Sequence, residues 1–141
     1  MDAKGRTAVP ARYRDALTAM GDDKLVLTTS LDACVVAYPM REWLAFEERL
    51  SRKSSFDRNV AMLRRIYVSG AVECEIDKHG RVLVPVSLRK HAGLDKEVLW
   101  AGMGRYAELW DRERFDSLCG DFMADEASRA ALLDRLSELE L

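Results

Sequence analysis

Asp2-Ala3-Lys4-Gly5-Arg6-Thr7-Ala8-Val9-Pro10-Ala11-Arg12-Tyr13-Arg14 returns 75 residues later as Asp77-Lys78-His79-Gly80-Arg81-Val82-Leu83-Val84-Pro85-Val86-Ser87-Leu88-Arg89. Six of the thirteen aligned positions are identical: Asp, Gly, Arg, Val, Pro and the final Arg. Average residue frequencies would give about one identity by chance. The register continues through small gaps. Leu25-Val26-Leu27 matches Val98-Leu99-Trp100, Val36-Ala37-Tyr38 matches Glu108-Leu109-Trp110, and Trp43 matches Phe115. The chain is therefore an internal duplication.

Each copy reads the same way. A Gly-Arg turn opens a short strand at 7–9 or 82–84, and proline then starts a helix at its first position, where a missing N–H costs nothing. That helix aligns Tyr13 with Leu17, or Leu88 with Ala92, on one face and ends near Gly21 or Gly93. Two strands follow, 24–28 and 33–38 in the first copy, 97–101 and 106–110 in the second. Gly102-Met103-Gly104 turns the second hairpin. Trp43, Phe46 and Leu50 form a helical stripe, as do Phe115, Leu118 and Phe122. Polar Ser51-Arg52-Lys53-Ser54-Ser55 leads into a helix carrying Val60, Leu63, Ile66 and Tyr67. Leu132, Leu133, Leu136 and Leu139 mark a last amphipathic helix. All of these stripes are read as ordinary core.

The 141 residues are 48% hydrophobic and 33% charged, with a net charge of −2. That average conceals local excess. Residues 1–14 and 77–90 each carry four basic residues against one acidic, whereas 111–141 carry four against nine. Local patches, not net charge, set the field that a phosphate backbone meets. No stretch approaches the ~20 apolar residues of a membrane span, and the first residues have no apolar signal core. Cys34, Cys74 and Cys119 are odd in number and form no Cys-x-x-Cys pair; with His79 and His91 they give no zinc spacing. They read as small buried thiols in a reducing compartment, and no metal or cofactor is expected.

The repeated loop has residue types suited to DNA. Gly5 and Gly80 permit positive φ and a close backbone approach. Asp2 and Asp77 can accept local N–H groups or orient the arginine. The planar forks of Arg6 and Arg81 match the O6 and N7 edge of guanine, and Lys4 and Lys78 suit phosphate contact. Arg14 and Arg89 read equally as phosphate contacts or as ion-pair partners of a neighbouring acid. A single such loop would pass as a surface turn. A turn need keep only its glycine, but here charge, spacing and flanking strand recur together.

Two Asp-x-x-Gly-Arg loops, each followed within four residues by proline and a basic helix, resemble the MraZ family. So do Tyr38-Pro39-Met40-Arg41-Glu42-Trp43 and Glu108-Leu109-Trp110-Asp111, and the resemblance covers almost the whole chain. That family is a tandem relative of the AbrB/SpoVT swapped-hairpin DNA-binding domains. The resemblance implies an α+β fold: a duplicated, pseudo-two-fold, swapped-hairpin β-barrel with flanking helices. The expected organisation is a first repeat at 1–43, linking helices at 44–69, a second repeat at 70–113 and C-terminal helices at 114–141. It further implies a non-enzymatic, cytoplasmic, nucleoid-associated transcriptional regulator, generally a repressor, of the division and cell-wall gene cluster. Such a regulator forms ring-like homo-oligomers on repeated double-stranded DNA boxes, and its DNA-reading arginine falls on Arg6 and Arg81.

Rival classes have less support. Gly102-x-Gly104 lies between two strands and lacks the rest of a dinucleotide fingerprint; no nucleophile elbow, P-loop or zinc-protease motif occurs. An antitoxin-like protein-interaction module is the alternative, with the acidic C-terminal segment as its gripping surface. One departure stands out. Before its loop the second copy has Gly70-Ala71-Val72-Glu73-Cys74-Glu75-Ile76, a period-2 strand; the first has only Met1. The expectation is an unpaired edge, with the natural chain starting upstream or a strand borrowed from a neighbour. The alternative is an edge capped by the helix at 56–68.

Overall fold

The computed structural model describes residues 1–140. Two compact units are present, Met1–Asp111 and the segment from Arg112 onward.

In the first unit the elements run β1 (Arg6–Ala8), α1 (Ala11–Ala19), β2 (Lys24–Thr29), β3 (Val35–Pro39), α2 (Met40–Ser51) and α3 (Arg58–Leu63). A π-helical turn at Arg64–Val68 follows, then β4 (Val72–Glu75), β5 (Arg81–Leu83), α4 (Val86–Ala92), β6 (Val98–Gly102) and β7 (Ala107–Asp111). Pro10 and Pro85 stand one residue before their helices, in extended backbone with ψ of 137° and 149°, and not at the first helical position. Gly93 closes α4 in the left-handed conformation, and Gly21 follows α1 with φ of 70°.

The strands form two sheets. β1 pairs antiparallel with β5, so the two copies join through their loop strands: Arg6 opposes Leu83 and Ala8 opposes Arg81. The other sheet has the order β4-β2-β3-β7-β6, with the two hairpins meeting at β3–β7. Leu25, Leu27, Val35, Ala37 and Leu109 from this sheet pack with Val9, Val82, Val84, Leu17 and Leu88 from the two loop segments. Periodicity explains the choice, since Leu17 and Leu88 fall on the inner faces of α1 and α4. At the β3–β7 seam Tyr38 stacks on Tyr106 with ring centroids 5.1 Å apart, and on Phe46 at 5.8 Å.

The edge expectation meets a definite geometry. β4 covers β2, and Leu25, Val26 and Leu27 are buried beneath it. Their counterparts Val98, Leu99 and Trp100 on β6 are only half-buried, and among the described residues no strand lies on the outer side of β6. The helix at 56–68 does not cap that edge. Its π turn packs on β2, where Thr28 and Thr29 hydroxyls donate to the carbonyls of Tyr67 and Ile66. At β6 the Met1 amine donates to the Lys96 carbonyl at 2.5 Å. Extending the β4–β2 register by one residue pairs Ile76 with Asp23, and the repeat maps these onto Met1 and Lys96.

The second unit contains α5 (Arg112–Ala124) and α6 (Glu126–Glu138), with Asp125 capping α6 through the Ser128 N–H at 2.9 Å. Leu118, Phe122, Leu132, Leu133, Leu136 and Leu139 were expected in a core but are all exposed. Two 13-residue helices are too small to enclose their own apolar stripes. Cys119 is also exposed, unlike buried Cys34, whose thiol burial pushes up to about 12.

Candidate nucleic-acid interface

The loops before β1 and β5 have the same construction, set by one side chain each. Asp2 Oδ1 accepts the Lys4 N–H at 3.0 Å and the Arg6 N–H at 2.8 Å; Asp77 Oδ1 accepts the His79 N–H at 2.8 Å and the Arg81 N–H at 2.9 Å. Gly5 and Gly80 then donate back to the Asp2 and Asp77 carbonyls at 3.1 and 2.9 Å. Each aspartate also orients its arginine. Arg6 Nε donates to Asp2 Oδ2 at 2.7 Å, while Arg81 Nε lies 3.4 Å from Asp77 Oδ2 without a well-aligned bond. Both carboxyls are held below their usual range, mainly by the backbone N–H of the arginine they serve.

β1–β5 pairing sets these loops side by side, and Arg81 Nη1 comes within 4.0 Å of Asp2 Oδ2. Arg6 and Arg81 are partly exposed, with 34% and 32% of their side-chain surface in solvent, because each folds back onto a carboxylate. Lys4, Lys78 and His79 are exposed beside them.

Arg14 and Arg89 depart from the ion-pair reading. Neither forms an ion pair among the described residues. Arg14 Nε donates to the Val9 carbonyl and Arg89 Nε to the Val84 carbonyl, each at 3.0 Å. Each guanidinium lies across the glycine of the opposite copy. A Cβ built on Gly5 would sit 2.7 Å from Arg89 Cζ, and one on Gly80 would sit 2.7 Å from Arg14 Nη1. The glycine carbonyls cross over as well, Gly5 accepting the Val84 N–H and Gly80 the Val9 N–H at 2.9 Å. Close approach was expected at these glycines; an arginine of the other copy is what makes it. The sequence signal for this was present, since Arg14 and Arg89 recur in register.

Gly5 and Gly80 also have φ of 90° and 76°, a conformation an L side chain adopts only with strain. Gly5→Ala and Gly80→Ala are each expected to destabilise by more than about 1 kcal/mol. Adding Arg89→Ala to Gly5→Ala removes the steric part but leaves the φ cost. Thermal melts of the single and double variants check this; a Gly5→Ala protein as stable as the parent would refute the cross-copy packing.

No group of three or more metal-ligating side chains occurs among the described residues, and no described helix is long and apolar enough to cross a membrane. The arrangement presents a pseudo-symmetric pair of guanidiniums on a two-stranded ribbon, flanked by lysines. Residues 1–66 and 67–136 each match the family model of the MraZ protein, which is also described as antitoxin-like. The chain is 41% identical over 140 residues to a protein of Thioalkalivibrio sulfidiphilus, covering 97% of this chain and 93% of that one. It is 39% identical over 141 residues to one from Lachnoclostridium phytofermentans, covering 100% and 92%. To one from Serratia proteamaculans it is 38% identical over 143 residues, covering 100% and 94%. All three are named transcriptional regulator MraZ. With both halves matched and full-length relatives near 40% identity, this chain belongs to the MraZ family.

Proposed function

We propose that the protein is a sequence-specific DNA-binding transcriptional regulator, a repressor of the division and cell-wall gene cluster, acting on the nucleoid in the cytoplasm without enzymatic activity. The observation that carries this reading is the juxtaposition of two Asp-x-x-Gly-Arg loops by β1–β5 pairing. A two-stranded ribbon fits the major groove. Arg6 and Arg81 would then read guanine edges, while Lys4 and Lys78 engage phosphates and add affinity without sequence information. Arg14 and Arg89, fixed over the opposite glycines, hold the two loops in register, and their remaining N–H groups suit phosphate.

The cross-copy pairing of β1 with β5 also supports reading the two repeats as one swapped-hairpin barrel. One such unit makes few base contacts. Several units in a ring, engaging repeated boxes together, gain roughly 10²–10⁴ in avidity. Footprinting on the DNA upstream of the protein's own coding sequence tests the reading, with protection of short, regularly spaced boxes as the expected result.

Affinity for that DNA should fall steeply with salt despite the net negative charge, with a log–log slope of about −0.9 for each phosphate contact. Lys4→Ala or Lys78→Ala should flatten the slope by about one contact and leave the ranking of DNA sequences unchanged. Affinity independent of salt would instead favour the antitoxin-like reading, in which a protein is the partner.

A further inference from the structure

The two loops share a backbone but differ in chemistry at one slot. Asp2 Oδ1 accepts the Lys4 N–H at 3.0 Å, and Asp77 Oδ1 accepts the His79 N–H at 2.8 Å. Lys4 and His79 are therefore true counterparts, each standing one residue before its glycine, and both are exposed. Lys78 instead aligns with Ala3. The first loop carries a permanent cation at this slot, and the second carries an imidazole.

Imidazole is the side chain whose ordinary charge change falls between pH 5 and 8. Once protonated it donates from both ring nitrogens and accepts nothing, so it suits a phosphate oxygen as a lysine ammonium does. The charged groups around His79 are known. Asp77, Lys78 and Arg81 share its loop, and Arg14 of α1 lies across the adjacent Gly80. Asp2 of the facing loop comes within 4.0 Å of Arg81. The Asp77 carboxyl is held below its usual range, first by the Arg81 N–H, with the His79 charge contributing. It therefore stays ionised throughout that window and favours the imidazolium, while Lys78, Arg81 and Arg14 oppose it. A docked phosphate would add a second anion beside the ring. The other histidine is elsewhere: His91 lies on α4, with Nε2 3.0 Å from the Asp32 carbonyl.

We propose that His79 is a further DNA-contact residue, which as an imidazolium binds a backbone phosphate from the slot that Lys4 fills in the other loop. This inference rests on the DNA-binding reading above and makes that binding proton-linked. The complex holds the His79 proton more tightly than the free protein does. By reciprocity, protons strengthen DNA binding as DNA strengthens proton binding, so affinity rises as pH falls. The added contact steepens the salt dependence by about 0.9 in log–log slope. It leaves the ranking of DNA sequences unchanged, because phosphate carries no sequence information.

Fluorescence anisotropy on the full chain tests this, with a duplex taken from the DNA upstream of its own coding sequence and a scrambled duplex. The parent should bind both several-fold more tightly at about pH 5.5 than at about pH 7.5, with the steeper salt slope at the lower pH. His79→Ala should remove that pH response. His79→Lys should bind at both pH values as the parent does at the lower one. Lys4→His should weaken binding at neutral pH and enlarge the pH response. Calorimetry in two buffers of different ionisation enthalpy should show the parent taking up a fraction of a proton on binding, and His79→Ala taking up less by that fraction.

If the parent does not bind the upstream duplex at either pH, the DNA-binding reading fails and this inference with it. If it binds, but the pH response and proton uptake are as large in His79→Ala as in the parent, only the role of His79 is wrong. A response confined to the upstream duplex would place His79 on a base and overturn the phosphate contact. The slot itself is held by the His79 backbone N–H, which every substitution but proline keeps. The proton uptake of the parent needs no variant at all, and its absence overturns the proposal.

Discussion

Replacing Arg6 and Arg81 together with alanine is expected to remove sequence preference in DNA binding while leaving the fold in place. A well-placed bidentate contact to guanine contributes about 1–3 kcal/mol of discrimination. Losing two corresponds to roughly a 30- to 20,000-fold reduction in affinity for the specific box. Stability should change far less. The Arg6–Asp2 pair is about one-third exposed, and exposed ion pairs contribute about 0–1 kcal/mol. The two single variants are not expected to be identical. Arg6 is held by a 2.7 Å bond, whereas Arg81 lies 3.4 Å from its own aspartate and leans toward Asp2. Removing Asp2 should therefore disturb both arginines, and removing Asp77 mainly one. Fluorescence anisotropy with specific and scrambled duplexes, paired with a thermal melt, measures both effects. Unchanged preference in a normally folded double variant would refute the assignment of these arginines as the reading residues.

The second large effect concerns the outer side of β6. Six residues of the pattern Gly-Ala-Val-Glu-Cys-Glu, copied from 70–75 and fused ahead of Met1, are expected to pair antiparallel with β6 as β4 pairs with β2. The Met1–Lys96 bond already sets the register at the junction. Val98, Leu99 and Trp100 would pass from half-buried to the buried state of Leu25, Val26 and Leu27. Each apolar side chain buried contributes about 1.5–3 kcal/mol, against which stands about 1–2 kcal/mol per residue for ordering the new strand. Ladder hydrogen bonds add about 1 kcal/mol each. A net gain of a few kcal/mol should raise the melting temperature by roughly 5–15 °C. An extension of equal length made of glycine and serine is the control, since it can reach β6 but has no apolar side chain to bury. Equal melting of the two extended proteins would show that the two halves are not equivalent at their edges. An exposed edge is also a template for unwanted pairing, so the alternating extension should reduce aggregation on heating.

Much of the protein was legible from local signals. The duplication, the Gly-Arg turns, the helix ends at Gly21 and Gly93, the seven strands and the inward faces of α1 and α4 all follow from short-range spacing and backbone preference. Apart from the duplication, which is read by comparing segments 75 residues apart, those signals depend on residues close together in the chain, so the chain carries them wherever it goes. The apolar stripes were less secure. The same helical spacing buries Trp43 and Leu50 but leaves Leu118 and Phe122 in solvent, because periodicity names a face without naming what covers it.

What the sequence by itself determined is the identity of the loop and its repetition: aspartate to cap, glycine to turn, arginine to present. Only the tertiary structure decided how the two loops meet. Pairing of β1 with β5 joins residues 75 apart, and it places Arg89 over Gly5 and Arg14 over Gly80. It also decided which strands end the sheet, since the order β4-β2-β3-β7-β6 leaves β4 and β6 outermost. The physical reason is that strand partners are chosen by burial and register across the whole unit. A strand's own residues fix its two faces and its hydrogen-bonding groups, but every strand offers the same backbone to any neighbour, and the choice among neighbours is made only when the core closes.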